Sequence, residues 1–192
     1  MAVVVGFAGF SGSGKTTLLE QIIKRLKTEG MKVGVIKHTH HQMEPGQKDT
    51  GKFFRAGADE VVAAGKDAML KISRQMEEKS LFQIIQEMAA CDIILVEGYK
   101  AAKIPKIMVL KKEGIEEGFD LLHDENAMAV VIDEKKITET LKRHFAAVDV
   151  KKSDERCGTG LRLEIKGRSI PVFLFSDVEG ITGFIKEFLY KN

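Results

Sequence analysis

Apolar residues come in short runs along this chain, and the spacing within each run predicts its secondary structure. Residues 3–8 form one β-prone apolar run, which reads as a buried strand. Over residues 16–29, Leu18, Leu19, Ile22, Ile23 and Leu26 recur at helical spacing, and Gly30 supplies the stop. A second strand at 32–37 gives the strand, helix, strand opening of a parallel sheet. Residues 38–49 are polar, with Pro45-Gly46 in the middle, and make a long loop at the carboxyl end of that strand. A short helix is predicted over 52–58 and a hairpin from 60–64 and 68–72. A further helix is expected over 81–90, capped by Ser80.

The second half continues the alternation. Residues 93–96 are consecutive aliphatics, the mark of a strand buried on both faces, and Glu97 ends it at the sheet's carboxyl edge. Runs at 106–110 and 129–132 complete the parallel strands, and the acidic, glycine-punctuated residues 113–126 read as a surface connection. A short helix is expected at 138–145 and a linker at 151–160. Residues 161–165 and 170–174 pair about a turn at 166–168. A last helix over 178–190 has Ile181, Phe184, Ile185, Phe188 and Leu189 on one face.

Between the first strand and the first helix lies Gly9-Phe10-Ser11-Gly12-Ser13-Gly14-Lys15-Thr16-Thr17, which has the spacing Gly-x-x-x-x-Gly-Lys-Thr. Strand, glycine loop and helix in this order cradle nucleotide phosphates. The glycines let the backbone curl until several N–H groups face inward, and the positive end of the helix dipole lies beneath the anion. Lys15 reaches the β- and γ-phosphates in such a loop, and the Thr16 hydroxyl ligates magnesium. A dinucleotide-binding turn is excluded by Lys15, Thr16 and Thr17 following Gly14 with no third glycine. The fold class expected is therefore α/β, a three-layer P-loop nucleotide-binding domain with a mainly parallel central sheet over 1–147. Residues 148–192 form either a short hairpin-helix extension or the last strand and helix of the same domain.

Glu97 is the strand-end acid expected to share magnesium with Thr16. Asp49 is a second candidate: a carboxylate near a nucleotide's magnesium holds or orients water, and capping the helix that follows is a compatible role. His38, His40 and His41 invite a zinc site. Without a cysteine or a second spaced cluster, a polar loop is the better reading, with contact to an anionic ligand the third. Lys100, Lys103 and Lys106 read as a solvated basic face. Lys66-Asp67 lacks the rest of a guanine-reading motif, so sequence chemistry leaves the base open.

Composition narrows the class further. With 192 residues, 44% hydrophobic and 30% charged, the chain has enough apolar surface for a real core. A net charge of +2 argues against a general nucleic-acid binder. No apolar run reaches membrane-span length and the first residues lack the basic lead-in of a secretory signal, so a cytoplasmic protein is expected. Cys91 and Cys157 read as free thiols.

Three further stretches accompany the phosphate loop: Lys37-His38-x-x-His41, Gly46-x-Lys48-Asp49-Thr50 followed by Arg55-x-Gly57-Ala58, and Val96-Glu97-Gly98-Tyr99-Lys100. Together, from about Val3 to Asp133, they resemble the MobB family of molybdopterin-guanine dinucleotide biosynthesis adaptor proteins. The resemblance implies a P-loop protein that binds GTP with Mg2+, hydrolyses it weakly and forms a homodimer. The implied partners are molybdopterin and the molybdenum cofactor guanylyltransferase that joins GMP to it. Carried over residue by residue, it assigns Gly12, Ser13, Gly14, Lys15, Thr16 and Thr17 to the phosphates and Asp49 and Glu97 to the metal environment, beside Gly9 of the nucleotide loop and the metal-binding Thr16 that the motif itself supplies. Lys15 and Asp49 would be catalytic, and His38, His41, Arg55 and Lys100 would line a groove for the pterin or partner. Residues 151–192 look longer than the family core requires.

Three functions are compatible with these residues: a GTP-binding adaptor with slow turnover, an ATP-dependent small-molecule kinase, and a binding module without turnover. A kinase needs a water-excluding lid, usually bearing arginine, and residues 100–126 contain none.

Overall fold

The computed structural model describes residues 2–39, 43, 45–110, 115–133, 146–149 and 161–189, with the backbone path alone for 115–118 and 146–149. The elements in chain order are β1 (Val3–Ala8), α1 (Lys15–Thr28), β2 (Val33–Lys37), α2 (Asp49–Arg55), β3 (Glu60–Ala64), β4 (Met69–Ser73), α3 (Leu81–Glu87), β5 (Ile93–Glu97), β6 (Lys106–Leu110), α4 (Ile115–Leu122), β7 (Ala127–Ile132), β8 (Ala146–Asp149), β9 (Leu161–Ile165), β10 (Arg168–Leu174) and α5 (Val178–Lys186). They fall into two compact units, Met1–His38 with Ile85–Asn192, and Thr39–Ile84.

The larger unit is an eight-stranded sheet in the order β2-β5-β1-β6-β7-β10-β9-β8. Pairing is parallel from β2 through β10, and antiparallel between β10 and β9 and between β9 and β8. The side-chain period of two divides the sheet between two cores. Val5, Phe7, Ile93, Leu95, Ile107, Val109, Ala129, Val131 and Phe173 join Leu18, Leu19, Ile22 and Leu26 of α1 and Ile181 and Ile185 of α5. Their alternates Ala8, Met108, Leu110, Val130, Ile132 and Val172 join Phe119 and Leu122 of α4. Burying each large aliphatic is worth about 1.5–3 kcal/mol, so these interleaved strands fix the register from both sides. Beyond residue 147, β9, β10 and α5 therefore belong to the same sheet and core as the phosphate loop. The link is reinforced across α1 and α5 by Arg25–Glu179 at 3.2 Å and Lys186–Glu29 at 2.8 Å.

Two expectations are corrected here. Residues 113–126 are more than a surface connection: they contain α4, whose Phe119 and Leu122 are buried. Lys106 is no part of a solvated face. Its stem packs across Gly6, its side chain is 2% exposed, and its ammonium pairs with Asp124 Oδ2 at 2.7 Å. The helix expected at 138–145, the linker at 151–160 and Cys157 lie outside the described residues, whereas Cys91 is a free thiol. Among the described residues, no helix is long and apolar enough to cross a membrane.

In the smaller unit β3 and β4 pair as the expected antiparallel hairpin. Arg74 ties its end to α2, donating to the carbonyls of Phe54 and Ala58 and lying 4.4 Å over the Phe54 ring. Ser80 and Gln83 form a reciprocal capping box ahead of α3, since each side chain accepts from the other's backbone N–H.

Candidate phosphate and metal site

The loop of residues 9–14 joins β1 to α1, and its backbone is wound as only glycines allow: Gly12 has φ 74° and Gly14 has φ 84°. Gly9 is required for a different reason. A Cβ there would press into the Val109 carbonyl of β6 and the Ser13 hydroxyl. At Gly14 a Cβ would meet the Phe175 ring at 2.9 Å, so the end of β10 forms a wall of the loop. Among the described residues no side chain caps α1 and its first turn carries no acid, which leaves the positive helix end to an anion.

Lys15 is folded over this loop, with Nζ donating to the carbonyls of Gly9 at 3.1 Å and Phe10 at 2.7 Å and to Ser13 Oγ at 3.2 Å. Burial holds its pKa below that of an ordinary lysine. The Glu97 carboxylate opposes the shift, and the ammoniums of Lys100 and Lys37 add to it. Glu97 ends β5 in register with Phe7 of β1 and Lys37 of β2. The Thr16 hydroxyl donates to the Glu97 carboxylate, 3.1 Å from each oxygen, and Lys37 Nζ is 3.6 Å from Oε1. Thr16 and Glu97 thus present hard oxygen donors side by side, a donor set that suits magnesium.

Past Glu97 the backbone turns through two positive φ angles, 96° at Gly98 and 46° at Tyr99. Gly98 is packed against His38 so closely that a Cβ would meet its Cβ at 2.9 Å, and the Tyr99 ring lies 4.3 Å from the imidazole. Lys100 follows, with its ammonium 4.9 Å over the Phe10 ring beside the phosphate loop. The structure therefore brings together residues 9–17, Glu97, Lys100 and His38 of the expected set. His41 lies outside the described residues. Asp49 and Arg55 belong to the smaller unit. There Asp49 is the first residue of α2 rather than its cap, which is Lys48, and it accepts from Lys52 Nζ at 3.2 Å. Arg55 donates to the Pro45 carbonyl at 3.1 Å and pins residues 45–46 against α2 at Gly51. Lys37 escaped the reading of the sequence. The signal was available: a lone cation ending an apolar run whose strand neighbours the one bearing Glu97.

A family model described as molybdopterin guanine dinucleotide synthesis protein B matches residues 4–133, from the second residue of β1 to just past the end of β7. The chain belongs to the MobB family. A molybdopterin-guanine dinucleotide biosynthesis adapter protein of Escherichia coli is 34% identical over the whole chain and 96% of its own length. A relative of the same description from Haemophilus influenzae is 37% identical over 57% of this chain, and the match spans 64% of that protein. The crystal structure of Bacillus subtilis MobB, 23% identical, superposes with a TM-score of 0.66 over 96% of each chain and shows the same fold. The E. coli relative matches along the full chain, so residues 151–192, which looked longer than the family core requires, are no departure from it.

Proposed function

We propose that this protein is a GTP-binding adapter with slow magnesium-dependent GTPase activity, serving the attachment of GMP to molybdopterin by the molybdenum cofactor guanylyltransferase. The observation that carries the nucleotide reading is the Thr16 hydroxyl lying against the Glu97 carboxylate at the mouth of a glycine loop held by Lys15. Family membership carries the pathway. GTP, the homodimer and the pterin are expectations from the family resemblance, and the cytoplasmic setting is an expectation from the sequence.

The residues suggest a simple sequence of events. Backbone N–H groups of residues 12–17 bind the β- and γ-phosphates, and Lys15 exchanges its loop carbonyls for phosphate oxygens. Thr16 and Glu97 would hold magnesium, which neutralises phosphate charge when bound. Water attacks in line with the γ-phosphoryl group, oriented by Glu97, while Lys15 and the loop amides absorb the developing charge; a catalytic Asp49 is an expectation of the sequence alone. The cations gathered around Lys15 and Glu97 are lysines, which fits slow turnover, since an arginine in cis or in trans is what accelerates such reactions. His38 and Lys100 remain candidates for the neighbouring groove.

Calorimetry of magnesium-bound GTP and ATP, on wild type and Lys15→Ala, tests the reading. GTP is expected to bind, ATP at least tenfold more weakly, and Lys15→Ala to lose on the order of a hundredfold or more in affinity. Preference for ATP would overturn the GTP assignment and favour a small-molecule kinase.

A further inference from the structure

Lys37, like Lys100, is a cation of this site that neither the phosphate-loop motif nor its strand-end acid explains. Lys37 ends β2, whose one sheet neighbour among the described residues is β5, and its side chain is 59% exposed. Register places it directly beside Glu97. Side chains at paired positions of parallel strands share a face, so Lys37 stands on the α1 face, where the phosphate loop and Thr16 also lie. Its ammonium is 3.6 Å from Glu97 Oε1, the same oxygen that is 3.1 Å from the Thr16 hydroxyl. Lys37 and Thr16 therefore meet on one carboxylate atom.

The lysine of this pair is largely exposed, although Glu97 is only 14% exposed, and at 3.6 Å the contact contributes little to folding. Its placement has a stronger consequence for charge. Lys37 and Lys100 both act electrostatically on Lys15 of the phosphate loop, and the Glu97 carboxylate opposes them there. Glu97 cannot serve Lys37 and a divalent cation equally, because the cation brings twice the charge to the same oxygens. Were Thr16 and Glu97 to hold a divalent cation with a bound polyphosphate, the Lys37 ammonium would lose its hold on Glu97. The polyphosphate would be a dense anion to which that ammonium can turn, on a flexible four-carbon stem that needs no backbone movement.

We propose that Lys37 is a second phosphate-binding cation of the site, held on Glu97 in the nucleotide-free protein and transferred to the terminal phosphoryl group when a magnesium-bound nucleoside triphosphate binds. This rests on the nucleotide reading above and adds a residue that distinguishes triphosphate from diphosphate. In that position Lys37 takes up charge on the γ-phosphoryl oxygens, the task that a catalytic arginine performs elsewhere.

The test is a ratio of affinities. Magnesium with GDP and magnesium with the non-hydrolysable β,γ-imido analogue of GTP are titrated calorimetrically into the full chain, as wild type, Lys37→Met and Lys37→Arg. Lys37→Met is expected to weaken the triphosphate analogue roughly tenfold and leave GDP within about twofold. Lys37→Arg should keep most of the preference. Equal losses for the two nucleotides, or none, would overturn the proposal and leave Lys37 a counterion of Glu97. A wild type that binds neither nucleotide would overturn the nucleotide reading and this proposal together, so the two failures are distinguishable. A melting temperature for Lys37→Met within about 2 °C of wild type, as expected for an exposed strand end, ties any affinity loss to the site.

Discussion

Asp124→Ala is expected to cost about 3 kcal/mol of stability, seen as a fall of roughly 6–12 °C in melting temperature. The reason is the lysine left behind. Lys106 enters β6 with its side chain 2% exposed, and its ammonium reaches Asp124 at 2.7 Å. Removing the carboxylate strands a buried positive charge, which is why the cost exceeds that of an exposed pair. The lower end of the range for buried pairs applies because the Asp124 side chain is 24% exposed. Lys106→Met should cost clearly less. It removes the charge whose burial is the difficulty, and Asp124 keeps the backbone and side-chain donors of Asn126 at 2.8 and 2.9 Å. Equal losses from the two variants would mean that the pair contributes through packing rather than charge.

The same residue gives the molecule a defined acid sensitivity. Burial pushes the Asp124 pKa up, but hydrogen bonds from Lys106 and from Asn126 outweigh it, and the carboxyl sits below the usual aspartate range. A group with a depressed folded pKa stabilises the protein above its unfolded value, about 3.9, and loses that contribution as pH falls through the folded value. The stability difference between wild type and Asp124→Ala should therefore be flat from about pH 8 to pH 5 and shrink below about pH 4. Denaturant titrations across that range measure it. A difference that grows on acidification would reverse the assigned direction.

Where the sequence was legible, one strong period dominated a segment. Residues 93–96 could only be a strand buried on both faces, and the glycine loop between two unambiguous elements placed Lys15, Thr16 and Glu97 together before any coordinates. α4 was hidden because Gly114, Gly118 and the six acids of residues 113–126 outweighed the spacing of Ile115, Phe119 and Leu122, which is helical. β8 has four residues, too few to show a period, and pairing with β9 defines it. Lys106 was misread because three lysines within seven residues look like a solvated face. Its partner Asp124 is 18 residues away, a relation that only the parallel sheet creates. Lys37 was missed for a related reason: what gives it significance is register with Glu97, sixty residues on.

Glu97→Gln should change nucleotide affinity in opposite directions depending on magnesium. Without the metal, the native carboxylate lies against Thr16 at the mouth of the phosphate loop, where it repels an incoming polyphosphate. Like charges near 4 Å interact by about 1 kcal/mol even at the dielectric of water, so neutralising Glu97 should tighten magnesium-free binding about fivefold or more. The amide retains a carbonyl to accept from Thr16, which limits structural damage. With magnesium the sign reverses. The metal loses its charged donor and should be held on the order of 10–100-fold more weakly, taking with it most of the affinity that magnesium adds. Turnover is expected to fall at least as far. Calorimetry in EDTA and in saturating magnesium, on the wild type and the variant, reads both arms. Parallel changes in the two conditions would sink the assignment of Glu97 to the metal, because a residue that merely shapes the loop has no reason to distinguish them. The same variant also frees Lys37 from its carboxylate. If Lys37 acts on the terminal phosphoryl group, the magnesium-free gain should be larger for triphosphate than for diphosphate.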